Sequence, residues 1–282
     1  MNPTTANHAR LDEWLDTLAS ETDQARHSEL FTAYLTAMAR FWSYSRRNSM
    51  LIFIQRPRAQ YVNSRKRWEE LGYTLKKDQW RNSIQILCPH FKKMRDDAGK
   101  EEQALTHFTT GYIYDETQVE AGPTAQPLSA PWSASTADAG DLFDVLHHTC
   151  TRLGVNVSER DDLADVLHGY SDGAGHIVLN SRHTIGDRTQ TLAHELAHEV
   201  AHPRNKRGDF TRQQVECQAE AVSYCICTAL GLGSPNSPTY LALYGVSRET
   251  IQANADAIRA CVHTILREVE RATGQQAADE AA

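Results

Sequence analysis

The stretch that organises this chain is Thr191-Leu192-Ala193-His194-Glu195-Leu196-Ala197-His198, within a proline-free run from residue 188 to 202 in which apolar residues recur among polar ones. Such a run predicts a helix. Because four residues span about one turn, the side chains of His194 and His198 leave the same face and can bind one zinc ion. The carboxylate of Glu195 would then lie beside the metal, where it can take a proton from water and deliver it to a leaving amine. The pattern therefore predicts a zinc-dependent peptide hydrolase with Glu195 as its general base.

A second helix is predicted to supply the third metal ligand. Thr211 and Gln214 form a capping box, which predicts a helix over about residues 212–230. Glu216 follows His198 by eighteen positions, and its carboxylate would complete the two-histidine, one-glutamate set of catalytic zinc sites. Glu220, one turn further on, is expected to hydrogen-bond one of the ligand histidines without binding the metal itself. The sequence leaves open an exchange of the roles of the two glutamates.

His202 shares the helix face of the two predicted ligands but is not expected to bind the same ion. On a straight helix it lies about 12 Å from His194, too far for a shared ion with ligand distances near 2 Å. The metzincin pattern overcomes this distance with a glycine before its third histidine, and residues 199–201 contain none. His202 is therefore interpreted as a helix-end histidine stabilised by the macrodipole.

The composition is that of a globular protein with room for two domains. The chain has 282 residues, of which 40% are hydrophobic, and this apolar content can give each domain a core. No apolar run reaches the length of a membrane span, and the polar N-terminus carries no basic-then-apolar leader. Six scattered cysteines, most within helical apolar patterns, are typical of reduced core residues. We therefore expect a cytoplasmic protein without a membrane partner.

The net charge of -7 hides a division between a basic segment and an acidic remainder. Residues 40–100 carry fifteen lysines and arginines against five acidic residues, a balance of +10, whereas the rest of the chain has -17. The segment also holds three of the five tryptophans. Because basic side chains attract phosphates and aromatic faces stack on bases, the segment predicts binding of single-stranded DNA without sequence preference. The predicted DNA-binding residues are Arg46, Arg47, Arg56, Arg58, Arg65, Lys66, Arg67, Trp68, Lys76, Lys77, Trp80 and Arg81.

The order of predicted elements indicates an α+β fold with two domains. In the first, residues 11–50 follow helical spacing, a short helix ends at Gly72, and strands are predicted over residues 83–88 and 107–115, joined by a charged loop. A stretch rich in Pro, Ala, Ser and Thr then predicts a linker. In the second, the predicted elements are helices over residues 142–153 and 160–167, a strand over residues 176–180, the two metal-site helices, and a final helix over residues 247–272.

With its elements in this order, the chain resembles the ArdC-type antirestriction proteins, in which a single-stranded-DNA-binding domain precedes a zincin-like metallopeptidase domain. In the first domain the resemblance rests on residues 48–57, 68–72, 75–77, 84–87 and 114–118. In the second it rests on residues 169–170, 176–180, 191–198 and 216–224. One departure is Asp78-Gln79-Trp80-Arg81-Asn82, which stands where the family usually continues into a glycine-containing turn, and it leaves the local strand geometry open.

The resemblance implies a protein of a mobile element or phage with an antirestriction role. Its implied domains are a DNA-binding domain over residues 1–120, a linker over residues 121–139, and a mainly helical, zincin-like metallopeptidase domain with a small sheet over residues 140–282. The implied partners are single-stranded DNA and a protein substrate, for which a restriction subunit and a repressor are both open. We expect Tyr170 or Tyr224 to stabilise the oxyanion of a peptide substrate.

Two alternative functions stay open at this point. In one, the protein coats single-stranded DNA without catalysis, and the zinc ion only holds the second domain together. In the other, the resemblance of residues 170–198 to ImmA-type peptidases indicates a regulatory protease that cleaves a repressor.

Overall fold

The computed structural model describes residues 2–21, 23–95, 101–128, 139–203, 211–232 and 246–273. Over these residues the chain combines eight α-helices with small β-sheets, which confirms the α+β class. The helices are α1 (Pro3–Ser20), α2 (Gln24–Arg40), α3 (Arg46–Gln55), α4 (Arg65–Glu70), α5 (Ala139–Arg152), α6 (Ile185–Ala201), α7 (Arg212–Ala229) and α8 (Arg248–Thr273). The strands are β1 (Val62–Asn63), β2 (Tyr73–Leu75), β3 (Ile84–Arg95), β4 (Glu101–Asp115), β5 (Val119–Ala121), β6 (Asn156–Arg160), β7 (Gly169–Ser171) and β8 (His176–Asn180). No helix in the described ranges combines the length and apolarity needed to cross a membrane.

The described residues divide into two compact units whose bounds differ from the predicted domains. The first unit contains residues 2–14 and 47–128, and the second contains residues 15–46 and 139–273. The beginning of the predicted linker is part of the first unit, since the backbone N–H of Gln126 donates to the carbonyl of Leu71 and the Tyr73 hydroxyl donates to the carbonyl of Gln126. Residues 129–138 of that linker lie outside the described residues.

The first unit is built on a long β-hairpin. Strands β3 and β4 pair antiparallel from Ile84 opposite Ile113 to Arg95 opposite Glu101, and β1 pairs with the other side of β4. Both predicted strands are therefore present and longer than expected. Most of the predicted charged loop belongs to the strand ends, and its residues 96–100 lie outside the described part of the chain.

Helix α3 covers the outer edge of this sheet with two side-chain amides. Asn48 accepts a hydrogen bond from the backbone N–H of Leu87 and donates one to its carbonyl, both at 2.9 Å. Seven residues on, Gln55 makes the same pair of bonds with the backbone of Gln85, at 3.0 and 2.9 Å. Because β3 is the edge strand in the order β1-β4-β3, these amides satisfy backbone groups that a further strand would otherwise take.

The second unit packs helices on a small mixed sheet. The sheet order is β6-β8-β7, with β6 parallel and β7 antiparallel to β8. Helix α6 packs against β7 and β8 and against α5, α7 and α8. Its side chains Leu192 and Leu196 are completely buried, which leaves the face with the two histidines for the site.

Two of the predicted helices are corrected by the structure. The helix predicted over residues 160–167 is wrong, because residues 156–160 form β6 and residues 161–168 run without a helix to β7. Strand β6 pairs along its whole length with β8, and this ladder, which depends on the tertiary structure, outweighs local propensity. The helical stretch of residues 11–50 is divided into α1, α2 and α3, with Asp23 capping α2 through a side-chain bond to the backbone of Arg26.

Candidate metal centre

Helix α6 carries both histidines, and its own sequence defines its ends. The side chain of its N-cap residue, Thr184, accepts a hydrogen bond from the backbone N–H of Asp187. The helix ends at Ala201, two residues before Pro203, whose ring is unfavourable for continuing a helix. Helix α7 begins at the predicted capping box of Thr211 and Gln214. Both predicted metal-site helices are therefore present.

Three potential ligand atoms converge between α6 and α7. The Nε2 atoms of His194 and His198 are 3.1 Å apart. One carboxylate oxygen of Glu216 lies 3.8 Å from the first and 3.7 Å from the second. Within the described ranges, this is the one place where three His, Cys, Asp or Glu side chains lie close enough to share an ion. The structure thus brings together the three residues predicted as ligands, His194, His198 and Glu216.

The donor set fits a zinc ion. A triangle with these sides has a centre about 2.1 Å from each of the three atoms, which is the length of a zinc–nitrogen or zinc–carboxylate bond. About half of the Glu216 side chain is exposed, so a substrate can approach from that side. Burial lowers the pKa of His194 by more than the nearby Glu216 carboxylate raises it. This shift favours the neutral imidazole that a metal ligand requires.

Glu220 lies one turn beyond Glu216 on α7 and is exposed. Its carboxylate is not part of the converging group. Desolvation raises the pKa of Glu220, and the negative charge of Glu216 raises it further. The predicted hydrogen bond from Glu220 to a ligand histidine stays a prediction.

Glu195 is partly exposed on α6, next to His194. One residue turns an α-helix by about 100°, so its carboxylate leaves the helix beside the line of the two histidines. From that side it can serve a water molecule near the three ligand atoms. Its role as general base stays a prediction.

Glu199 is a carboxylate that the sequence analysis missed. It directly follows His198, is 9% exposed, and accepts hydrogen bonds from the Ser171 hydroxyl and from the backbone N–H groups of Gly173 and Gly175. These bonds attach the turn between β7 and β8 to the metal-site helix. The sequence signal that could have revealed Glu199 is a charged residue in a helix that is expected to be largely buried. A buried carboxylate needs hydrogen-bonding partners, and these can then be sought.

Tyr170 is the middle residue of β7 and lies on the face of that strand opposite to α6. In β7, Gly169 faces α6, since a Cβ atom there would lie 2.9 Å from the Thr191 side chain, and Ser171 reaches Glu199 on the same helix. Successive residues of a strand point to opposite faces, so the Tyr170 side chain points away from α6. This orientation does not support the predicted oxyanion role of Tyr170, which stays a prediction.

Tyr224 is buried, and its hydroxyl shares a 2.8 Å hydrogen bond with Thr36 of α2. It follows Glu216 by eight residues, about two helical turns or 12 Å along α7. Its hydroxyl is engaged by another helix at that distance, and nothing in this geometry supports the predicted oxyanion role.

Two of the predicted DNA-binding side chains are buried in the protein. Arg46 is 7% exposed and forms an ion pair with Asp256. Trp68 is 1% exposed, and its indole N–H donates to the carbonyl of Tyr114 at 2.9 Å. A buried ring cannot stack on a base, and a buried guanidinium paired with a carboxylate is not available to a phosphate, so the assignment of both residues to DNA binding is corrected.

Several further basic residues are already engaged by neighbouring groups. Arg56 lies 3.3 Å from the buried carboxylate of Asp115, and Lys76 donates to the carbonyl of Thr117 at 2.7 Å. The basic residues of α4 form exposed ion pairs with acidic residues of the same helix: Arg65 with Glu69, Lys66 with Glu70, and Arg67 with Glu70. Such pairs reduce the positive potential that α4 can offer to phosphates.

The exposed part of the predicted DNA surface centres on a tight turn. Trp80 is 57% exposed, and the Arg81 guanidinium lies over its ring, 4.7 Å from the centroid. The turn begins at Asp78, which has a left-handed backbone with φ of 65° and so takes the place of the glycine-containing turn of the ArdC-type pattern. Lys77 and Arg58 are exposed as well. Arg47 is also exposed and lies over the ring of Phe108.

Comparison with known proteins gives three kinds of similarity. An uncharacterized protein of Bacillus anthracis is 24% identical over 264 residues, and the match covers 78% of this chain but only 44% of that protein's length. Two solved structures of the antirestriction protein ArdC from the R388 plasmid are similar at 17% identity. For the metal-free structure the TM-score is 0.48, and the match covers 82% of this chain and 86% of the ArdC chain. For the Mn(II)-bound structure the TM-score is 0.45, and the match covers 79% of this chain and 87% of the ArdC chain. Residues 150–230, which contain all three converging ligand atoms, match the peptidase-family model described as the IrrE N-terminal-like domain, and this segment is therefore similar to that domain.

Proposed function

We propose that this protein is a zinc-dependent peptide hydrolase. The observation that carries the proposal is the convergence of the His194, His198 and Glu216 ligand atoms around one point, beside Glu195, on a helix pair open to solvent. A zinc ion held there supplies Lewis acidity, which polarises a carbonyl and lowers the pKa of water. The similarity of residues 150–230 to a peptidase-family domain supports the same chemistry.

In this proposal the chain's own groups position the ion and move the proton. The two imidazoles and the Glu216 carboxylate hold the ion, and the Glu195 carboxylate accepts a proton from the attacking water. The same carboxyl then delivers that proton to the amine that leaves, so no net proton is consumed by the residue. The test is hydrolysis of a mixture of unstructured peptides by the zinc-loaded chain, with a chelator-treated sample as control. Intact peptides in both samples would contradict the proposal.

Strand β7, which is an edge strand among the described strands of its sheet, lies beside α6 and supports an extended peptide as the substrate class. In the antiparallel pair of β7 and β8, the backbone bonds between His168 and Asn180 and between Asp172 and His176 identify the residues that face β8. Bonded and non-bonded pairs alternate, so the N–H and C=O groups of Gly169 point away from β8, to the outer edge of the described sheet. Extended peptides bind such edges through their main chain.

This edge runs along the part of α6 that carries the histidines. Gly169 at one end of β7 approaches Thr191, and Ser171 at the other end bonds Glu199. The stretch between Thr191 and Glu199 contains both candidate ligands. A peptide paired with β7 would therefore lie next to the metal centre.

We also propose that the first unit binds single-stranded DNA, and that the protein acts as an antirestriction protein of a mobile element or phage. The observation that favours DNA binding is the exposed Trp80 ring under the Arg81 guanidinium, in a unit where Lys77 and Arg58 are also exposed. Stacking on an aromatic ring is tolerant of base identity, and the basic side chains add attraction to phosphates. A restriction subunit and a repressor both remain candidate protein substrates.

Replacement of Trp80 by alanine is expected to weaken binding of a single-stranded oligonucleotide by about tenfold or more, because stacking of one base on an aromatic ring contributes about 1–3 kcal/mol. Fluorescence anisotropy of a labelled oligonucleotide at several salt concentrations measures this change. Phe91→Ala removes an equally exposed ring of the hairpin and is the matched control. A loss in the Phe91 variant with none in the Trp80 variant would move the DNA site to the hairpin.

Protection of DNA against a restriction nuclease is expected to survive Glu195→Gln and to fail in the combined Trp80→Ala, Arg81→Ala variant. Coating of the strand depends on binding, whereas proteolysis depends on the general base. The measurement is a side-by-side nuclease challenge on single-stranded and duplex DNA. Loss of protection with Glu195→Gln alone would show that proteolysis, and not coating, accounts for the antirestriction role.

A further inference from the structure

Three helices around the metal centre are connected by a buried chain of polar side chains. His202 caps the C-terminus of α6 and is fully buried, Gln218 of α7 is 4% exposed, and Asn254 of α8 is 3% exposed. The Nε2 atom of His202 lies 2.9 Å from the Gln218 side-chain oxygen. The Gln218 amide nitrogen lies 2.7 Å from the Asn254 oxygen, and the Asn254 amide nitrogen lies 2.8 Å from the carbonyl of Thr250. His202 thus lies at the helix end, as predicted, and in addition forms a hydrogen bond to Gln218 that the sequence analysis did not predict.

The direction of each hydrogen bond along this row of polar side chains follows from the last bond, between Asn254 and the carbonyl of Thr250. A backbone carbonyl can only accept, so Asn254 must present its NH₂ group to Thr250 and its oxygen to Gln218. Gln218 must then donate to Asn254, which leaves the Gln218 oxygen to accept from His202. His202 therefore carries a hydrogen on Nε2, and a side chain at position 202 without a donor there would leave a buried acceptor unsatisfied.

Two members of the polar chain lie close in sequence to candidate metal ligands, one on α6 and one on α7. His202 lies one turn after His198 on α6, and Gln218 lies two residues after Glu216 on α7. The remaining buried surface of these helices is largely apolar, and apolar contact is not directional. A slip of α7 by one residue would move Glu216 by about 1.5 Å, which exceeds the tolerance of about 0.2 Å on metal–ligand distances.

We propose that the His202–Gln218–Asn254 chain sets the axial position of α7 against α6 and thereby delivers Glu216 as the third metal ligand. His202 and Gln218 are positioning residues, because they act through Glu216 without touching the ion. A single buried polar contact that selects one alignment of packed helices is an established role for such groups. The inference rests on the metal site of the proposed function.

The test compares His202→Leu with His202→Gln in the full chain. Glutamine can place an amide N–H where His202 has Nε2, whereas leucine fills space without a donor. We expect His202→Leu to weaken zinc binding by about tenfold or more, as the loss of a group that orients a ligand typically does. We expect His202→Gln to stay within about threefold of the wild type. Competition with a chromophoric chelator measures both affinities, at a temperature where circular dichroism shows all variants folded.

Val222→Ala provides the control for a purely structural loss. Val222 is fully buried on α7 and lies outside the polar chain, so the variant should lower the melting temperature while zinc affinity stays unchanged. Equal zinc affinity of His202→Leu and the wild type would overturn the inference, and so would an equal loss in the leucine and glutamine variants. Absence of zinc binding by the wild type would instead overturn the proposed function, together with the inference that rests on it.

Discussion

Replacement of His198 by alanine is expected to abolish tight binding of zinc to this chain. The variant removes one of three converging ligand atoms and leaves a pair too sparse for a site that normally has three protein ligands. Zinc content after dialysis and affinity by chelator competition measure the loss, which should exceed about a hundredfold. His148→Ala removes an exposed histidine of α5 outside the centre and should bind zinc as the wild type does.

The same measurement decides between the two glutamates. Glu216→Ala should reduce zinc affinity strongly, since its carboxylate lies 3.7–3.8 Å from both imidazole nitrogens, whereas Glu220→Ala should retain the metal. Unchanged zinc content after loss of His198 would remove the basis of the site. Loss of metal from the Glu220 variant alone would exchange the roles of the two residues.

Replacement of Glu195 by glutamine is expected to lower peptide turnover by about 10²- to 10⁴-fold while zinc stays bound. The amide has nearly the same shape as the carboxylate but cannot accept the proton of the attacking water. Steady-state hydrolysis of a peptide found to be cleaved by the wild type measures kcat, and zinc content is determined on the same sample. Glu249→Gln, an exposed position at the start of α8, is the matched control and should keep full activity. Full activity of the Glu195 variant would exclude this residue as the base.

The convergence of the three candidate ligands was predictable because much of its geometry is local. The four-residue step from His194 to His198 is set by the helix itself, and the capping box at Thr211 predicts where the helix that carries Glu216 begins. Once both helices are predicted, the remaining requirement is that they pack closely enough for Glu216 to reach the two histidines. Glu199 was missed because its partners, Ser171 and two glycine N–H groups, come from a strand and turn that only the tertiary structure brings near.

The side chains of the first unit show the opposite case. Trp68 and Trp80 lie in the same basic, aromatic segment, and composition gives no way to separate them. One ring is buried with its N–H bonded to Tyr114, and the other is exposed at a turn. Arg46 likewise looks like its exposed neighbour Arg47, but its partner Asp256 lies more than two hundred residues away in sequence. Composition can therefore suggest a function for such a segment, but it cannot separate the exposed side chains from the buried ones.

The side-chain amides of Asn48 and Gln55 in α3 favour one alignment of the hairpin beside this helix. Asn48 and Gln55 read the backbone of Leu87 and Gln85, two positions on the same side of β3. A shift of β3 by one residue would offer them backbone groups that point into the sheet, and would turn Ile84 and Ile86 out of the core. A hairpin paired in the shifted register would thus lose its hydrogen bonds to α3. The observed register is therefore favoured by a helix that is not part of the sheet.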